Sequence, residues 1–305
     1  MRVLVTGAAG SIGSALCRAL DNRGIPVVAF DQAETPLFWL QQQSTVLLKA
    51  IVGDVLDYEQ LSRAIRGCTH VVHAAAMKHV GMCDTNVSRA YLVNVAGTMN
   101  VVDAANGERA SLVLVSTDKA VNPTTVMGAT KWLAEWYVGT HALDARIVRL
   151  VNIWRSAGSL AEILEKLKAA DQPLALSHPD ASRYFMSIAD AVDLLVRVMD
   201  RVPEMARVFI PASITGRRIA DIAAEMGVRT VPGQLQPGEK IAEELLTAQE
   251  ARARAADVAR NNYSVLVQPP AIRLGQLSAL QMAVSHHNDE AAYAELFKLV
   301  RSHHG

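Results

Sequence analysis

The chain has 305 residues, 50% of them hydrophobic, and its thirty basic and thirty acidic side chains cancel. That is enough for one large or two modest packed domains, and a neutral balance provides no basic field to gather nucleic acid or an anionic membrane surface, so small molecules are the expected partners. No apolar run reaches the roughly 18 residues of a membrane span, the first strand begins at once with no signal peptide, and Cys17, Cys68 and Cys83 lack metal-ligand spacing, so a soluble cytoplasmic protein with reduced thiols and no metal is expected.

Short apolar runs then alternate with stretches of helical period. RVLVT (2–6) leads into SIGSALCRALDNRG (11–24), followed by PVVAFD (26–31), KAIVGD (49–54) and HVVHAA (70–75). A helical stretch at 88–106, the run SLVLVS (111–116), a helix around Lys131 and ARIVRLVN (145–152) continue the alternation. Near-continuous Val, Leu and Ile strands separated by helices indicate a parallel sheet covered on both faces. The fold class expected is therefore α/β, a doubly wound parallel sheet of Rossmann type over 1–152. A smaller C-terminal α/β substrate domain is expected over 153–305, with a return into the first near 183–204. Its last element is expected to be an interrupted helical region from about Leu274 to Arg301. His286, His287, His303 and His304 lack partners at ligand spacing and read as a solvated face.

The first strand runs into TGAAGSIG, which places Gly7, Gly10 and Gly13, with Ser11 and Ile12, at the turn where a helix begins. Glycine permits the tight turn and close backbone approach, and the helix N-terminus offers unpaired N–H groups to a pyrophosphate. Asp31 closes the second strand, where a carboxylate accepts hydrogen bonds from the adenosine ribose and repels a 2′-phosphate, which favours NAD over NADP. Asp54 and Val55 follow the third strand on the adenine side, and Ala74 and Ala75 follow the fourth beside the same cofactor.

In that order, GxxGxxG, HAAAMKHV, NVAGT, STDKAVNPTTVMGATK, SHPDASRYFMSIADAV and PGEKIAEEL resemble the extended short-chain dehydrogenases of polysaccharide biosynthesis. More narrowly they resemble UDP-N-acetylglucosamine 4,6-dehydratases, over about Arg2 to Glu244. The resemblance implies a cytoplasmic, homo-oligomeric enzyme that acts on a nucleotide sugar. It oxidises the sugar at position 4, eliminates water across positions 5 and 6, and returns the hydride to position 6. Short-chain dehydrogenases usually carry a Tyr-x-x-x-Lys pair; here Met127 stands four residues before Lys131, a replacement common in this family. Elimination needs a base for the 5-proton and an acid for the leaving 6-hydroxyl. Lys119 is assigned as that base and Asp118 as that acid, at the carboxyl edge of the fifth strand, with Thr117 on the 4-oxygen and Lys131 on the nicotinamide ribose. Which group accepts the 4-hydroxyl proton stays open, Asp118 acting as base and then as acid being the economical choice.

The family also directs attention to Lys78 and His79 for the sugar, Asn94 as a structural bridge, and Asn152, Arg183 and Glu239 for the substrate. Three positions depart from its pattern: Gln236 replaces an arginine, VNIWRS (151–156) replaces GNVLGS, and Met77 replaces a tyrosine. A diphosphate short of one arginine needs another cation, and Arg155 is expected to supply it, clamping the pyrophosphate with Arg183. A nucleotide-sugar epimerase of the same scaffold, and a non-catalytic NAD-binding sensor, are the alternatives.

Overall fold

Four consecutive buried residues in β1 (Val3–Thr6) set the pattern for the sheet: strands with two covered faces carry side chains that all leave water. The structure is a computed structural model that describes residues 1–44, 48–200, 207–211, 214, 216–251, 264–266, 272 and 274–304. Among these residues β2 (Val27–Asp31), β3 (Leu48–Val52), β4 (His70–His73), β5 (Ser111–Thr117) and β6 (Ala145–Leu150) extend the sheet. With three short strands (β7 Asn152–Ile153, β8 Leu174–Leu176, β9 Ser182–Met186) lying elsewhere, the sheet resumes at β10 (Arg207–Phe209). After β11 (Gly216–Arg218) and β12 (Thr230–Pro232), it ends at β13 (Ser264–Leu266). The order is β13-β10-β6-β5-β4-β1-β2-β3, parallel except for β13, which runs antiparallel to β10.

Helices Ser11–Asp21, Glu34–Gln42 and Ile188–Met199 cover one face through residues such as Leu16, Leu37 and Leu195. Helices Tyr58–Ile65, Gly97–Glu108 and Val126–His141 cover the other through Leu61, Val101 and Ala134. Leu16 and Leu195 have no exposed surface, so each stabilises the fold by about 1.5–3 kcal/mol and its truncation to alanine costs about 2–5 kcal/mol. The doubly wound Rossmann architecture expected from the strand pattern is present. The direction of winding reverses between β1 and β4, which opens a crevice at the carboxyl ends of the strands.

The helical stretch anticipated at 88–106 is interrupted by a π-helical turn, Leu92–Ala96, between Val87–Tyr91 and Gly97–Glu108. Asn94 lies in that turn. Its Oδ1 accepts from the Met77 amide at 2.8 Å, and its Nδ2 donates to the Met77 carbonyl at 3.0 Å and to Thr130 Oγ1 at 2.9 Å. It thus ties the chain after β4 to the helix that carries Lys131, and π-turns of this kind are frequent at functional sites.

A small lobe stands over the carboxyl edge. β9 pairs with β7 and β11, β8 pairs with β12, and Leu164, Ile222, Ala223 and Val228 form its core. Between β9 and β11 the chain re-enters the main sheet, for Ile188–Met199 packs on Ser11–Asp21 and β10 pairs with β6. Residues 201–204 of the anticipated return segment lie outside the described residues. The C-terminal region is interrupted as expected, into helices Leu274–Ser285 and Asp289–His304, which pack on Val87–Tyr91 and on each other through Leu280, Leu296 and Val300. No helix among the described residues is long and apolar enough to cross a membrane.

Candidate active site

The carboxyl ends of β1, β2, β4, β5 and β6 and the facing wall of the small lobe enclose one cleft of about 860 Å³. At its floor Gly7 has φ +69°, and a Cβ there would lie 2.5 Å from the Ala75 amide nitrogen and 2.6 Å from the Ala74 carbonyl carbon. A Cβ on Gly13 would collide with the Gly7 carbonyl oxygen. Only glycine lets this loop press against both β4 and the helix it opens. Gly10, Ser11, Ile12 and Gly13 line the cleft where that helix starts, and its first turn carries no acid and no side-chain cap. Its N–H groups and dipole are left for an anion.

Asp31 faces the same cleft and is held by two backbone donors, Ala9 N to Oδ2 and Ala33 N to Oδ1, each at 3.0 Å. Asp54, Val55, Ala74 and Ala75 line the cleft. Asp54 accepts from the Leu56 amide at 3.0 Å and meets Arg89 at 3.5 Å, a cleft residue that sequence reasoning missed. Beneath the floor, His73 is held between Thr6 and Thr98, and burial, aided by the charge of Lys131, pushes its pKa down to about 3, so the ring is neutral.

The 116–131 stretch folds as a strand end, a tight turn and a helix. Thr117 ends β5, Asp118–Ala120 make one 3-10 turn, and Thr125 caps Val126–His141 by accepting from the Gly128 amide. Thr117, Lys119, Met127 and Lys131 line the cleft. Asp118 does not: it has no exposed surface and lies behind its neighbours. Its Oδ1 accepts from Thr117 Oγ1 at 2.8 Å and from Lys119 Nζ at 3.0 Å. Lys119 Nζ also donates to Asn152 Oδ1 at 3.3 Å. Lys131 donates to the Val115 carbonyl at 2.7 Å, and burial lowers its pKa to about 8 against the opposing Glu135 carboxylate. Met127 offers a buried thioether one turn before it.

Below the lysine lies a charge network with no counterpart in the sequence reading. Glu135 accepts from Ser116 Oγ at 2.6 Å and forms a two-pronged pair with Arg149, which also meets Glu250 at 2.9 Å. Burial alone would lower the Arg149 pKa, but the Glu135 and Glu250 carboxylates outweigh it and raise it. Glu135 was legible in principle, four residues after Lys131 on one helix face. Arg149 was hidden inside an apolar strand run, and Glu250 lies far along the chain.

On the substrate side Lys78 donates to the Ala157 carbonyl at 2.5 Å, and the His79 ring packs where a side chain on Gly158 would stand. Burial lowers the Lys78 pKa. Asn152 donates to the Tyr184 carbonyl at 2.9 Å. Arg183 donates to the Ser182 and Ile241 carbonyls and to Glu239 Oε1 at 3.2 Å. Glu239 also accepts from Ser177 Oγ at 2.7 Å. Lys78, His79, Asn152, Arg183 and Glu239 all line the cleft. Arg155 does not join them. The turn after β7 puts it at φ +57° with its side chain 71% exposed and paired to Glu165 at 3.4 Å, so the anticipated two-arginine clamp is absent. The backbone of 153–156 turns that side chain away from the cleft that Ile153 and Ser156 line.

The family model described as "Polysaccharide biosynthesis protein" matches residues 3–263. An uncharacterized membrane protein of Methanocaldococcus jannaschii, MJ1061, is 35% identical over 81% of this chain and 81% of its own length. The capsular polysaccharide biosynthesis protein CapD of Staphylococcus aureus is 31% identical over 81% of this chain, which spans only 45% of CapD. An inverting UDP-N-acetylglucosamine 4,6-dehydratase of Campylobacter jejuni is 30% identical over 72% of this chain and 69% of its own. A UDP-glucose 4-epimerase of Rickettsia felis is 32% identical over 64% of this chain and 61% of its own. Among solved structures, Pen from Bacillus thuringiensis superposes with TM-score 0.77 at 27% identity, covering 83% of this chain and 85% of that one. The dTDP-glucose 4,6-dehydratase DesIV of Streptomyces venezuelae, solved with NAD, gives TM-score 0.74 at 21% identity over 88% and 93% and shares the fold.

Proposed function

The chain belongs to the polysaccharide biosynthesis protein family of extended short-chain dehydrogenases, and from that premise we propose that it is an NAD-dependent nucleotide-sugar 4,6-dehydratase. The substrate proposed is a UDP-N-acetylglucosamine-like sugar nucleotide. The observation that carries the reading is the Thr117–Asp118–Lys119 arrangement. A hydroxyl and an amine on the cleft wall share one buried carboxylate oxygen, at 2.8 and 3.0 Å, where a dehydratase needs an acid and a base on one sugar.

The cofactor site fits NAD on its own geometry. The Gly7–Gly13 turn leaves no room for a Cβ, the helix N-terminus beside it is uncapped, and Asp31 is fixed for a ribose diol. A carboxylate at Asp31 disfavours a 2′-phosphate, which supports NAD over NADP. Bound there, NAD would accept hydride from the sugar's 4-position and return it to the 6-position, ending as it began. Lys131 and the neutral floor at His73 would position its nicotinamide end.

Asp118 then acts through Thr117. The Thr117 hydroxyl faces the cleft and relays the 4-hydroxyl proton to the carboxylate behind it. Lys119, as the free amine, takes the 5-proton, and Asp118 returns its proton by way of Thr117 to the departing 6-hydroxyl. Lys119 finally gives its proton back to carbon 5. The sum is loss of one water, with both side chains restored. Met127 takes no proton and forms an apolar wall. Arg183, Asn152, Lys78 and His79 are proposed to hold the sugar nucleotide, with Glu239 on hydroxyls. Mass spectrometry of a sugar-nucleotide panel tests the reading through a product lighter by one water.

The similarity to UDP-glucose 4-epimerases favours a second reading, epimerisation at position 4, whose product has the mass of its substrate. The buried acid behind Thr117 supports the first, because epimerisation has no leaving hydroxyl to protonate.

A further inference from the structure

Glu243 has no task in the chemistry above, yet it lies against the amine on which that chemistry turns. It follows the turn at Gly238, and its side chain is 7% exposed. Oε1 stands 3.8 Å from Lys119 Nζ and 3.9 Å from Arg183 Nε, and Oε2 stands 4.0 Å from Lys240 Nζ. Oε2 makes no hydrogen bond, and neither does the buried Oδ2 of Asp118. A buried carboxylate normally satisfies its lone pairs with donors, so a structural ion pair explains this arrangement poorly.

The charged groups around Lys119 come from several elements. Asp118 lies before it in the turn after β5, Arg183 on β9, and Glu239, Lys240 and Glu243 on the segment after Gly238; Asn152 adds a neutral amide. Three cations therefore meet three carboxylates. If Glu243 lost its charge, one cation would be in excess. Arg183 cannot release a proton, and Lys240 is anchored to the Val121 carbonyl at 2.7 Å. Of the two among them that line the cleft, Lys119 and Arg183, only Lys119 can give up a proton.

We infer that Glu243 is a positioning residue that completes a carboxylate–ammonium–carboxylate set with Asp118 and Lys119 and sets the pH at which Lys119 becomes a free amine. The inference deepens the reading of Lys119 as the base. After the amine has taken the 5-proton, two flanking carboxylates stabilise the ammonium until carbon 5 reclaims that proton.

The test is a pH titration of the full chain labelled with ¹³C-lysine, reading the Lys119 Cε signal, identified by its loss in Lys119→Met. An opposite charge within about 4–6 Å favours a charged form by one to three pH units, so in Glu243→Gln the Lys119 midpoint should fall by about one unit. Glu243→Asp, which keeps the charge, should hold most of that difference. Glu243→Met gives the same fall if the amide variant does not fold. An unchanged midpoint in a folded Gln or Met variant overturns the inference. The titration needs no turnover, so it is separable from the dehydratase reading: a wild-type enzyme that releases no water sinks that reading and leaves the titration to decide the role of Glu243.

Discussion

Lys119 and Met127 face the same cleft, but only one can carry a proton. Lys119→Ala should lower turnover and the exchange of solvent deuterium into carbon 5 by roughly 10²–10⁴-fold, the usual worth of a positioned acid or base. NAD binding should be little changed. Met127→Ala should keep most activity, and its loss would mean that the thioether packs the reacting sugar. Arg155 invites the opposite expectation to the one its sequence position suggests. With its side chain in solvent and paired to Glu165, Arg155→Ala should leave substrate affinity within about 0.5 kcal/mol of wild type, as surface changes do. Arg183→Ala should weaken binding clearly, and calorimetry with the sugar nucleotide compares the two. Lys131 adds a pH dependence. Its native pKa of about 8 lies below the ordinary 10.5, so between those values the unfolded chain binds more protons than the native one. The stability of the cofactor-free protein should therefore gain from this group as pH rises from about 8 toward 10.5, and Lys131→Met should remove that gain in denaturant melts across the range. The position of Arg155 was illegible because a left-handed backbone turn decides it. Glu243 was illegible because its partner Lys119 lies on a distant part of the chain, and no local spacing reports such a pair.

At the scale of elements, the Glu135–Arg149–Glu250 network joins the helix Val126–His141 to β6 and to the segment that carries Glu239 and Glu243. Arg149→Met would leave two buried carboxylates unpaired and should cost about 3–5 kcal/mol in urea unfolding. Replacing all three with apolar side chains of similar volume should recover much of that loss, whereas an equal cost in both variants would show that packing rather than charge is at stake. The same segment is pinned by Gly238, at φ +77° where a Cβ would collide with the Thr124 carbonyl oxygen, so Gly238→Ala should displace Glu239 and weaken substrate more than NAD. The strands and the phosphate turn were legible because each is specified locally, by runs such as VLVT and by glycines at fixed offsets before a helix. The π-turn at Leu92–Ala96 was not, since an amphipathic period continues through it and only the hydrogen bonds of Asn94 reveal it.

For the whole molecule, the regular strand–helix alternation up to about Asn152 specified a doubly wound sheet, and the switch between β1 and β4 located the cleft. Beyond it the alternation weakens because the chain leaves for the small lobe and returns. Neither the pairing of β10 with β6 nor the packing of the C-terminal helices on Val87–Tyr91 has a local signal. We propose that the substrate lobe consists of the segments around β7, β8, β9, β11 and β12, with the Rossmann domain formed by 1–151 and the returning segments. The two units are then joined across the reacting sugar, with Thr117, Lys119 and Lys131 on one side and Arg183 and Glu239 on the other. The most direct test of this account is a mass measurement on the product of a UDP-N-acetylglucosamine-like substrate turned over in deuterated water. The account predicts loss of one water, deuterium at carbon 5 that disappears in Lys119→Ala, and no accumulation of NADH. A product of unchanged mass, or one oxidised product for each NADH formed, would contradict it.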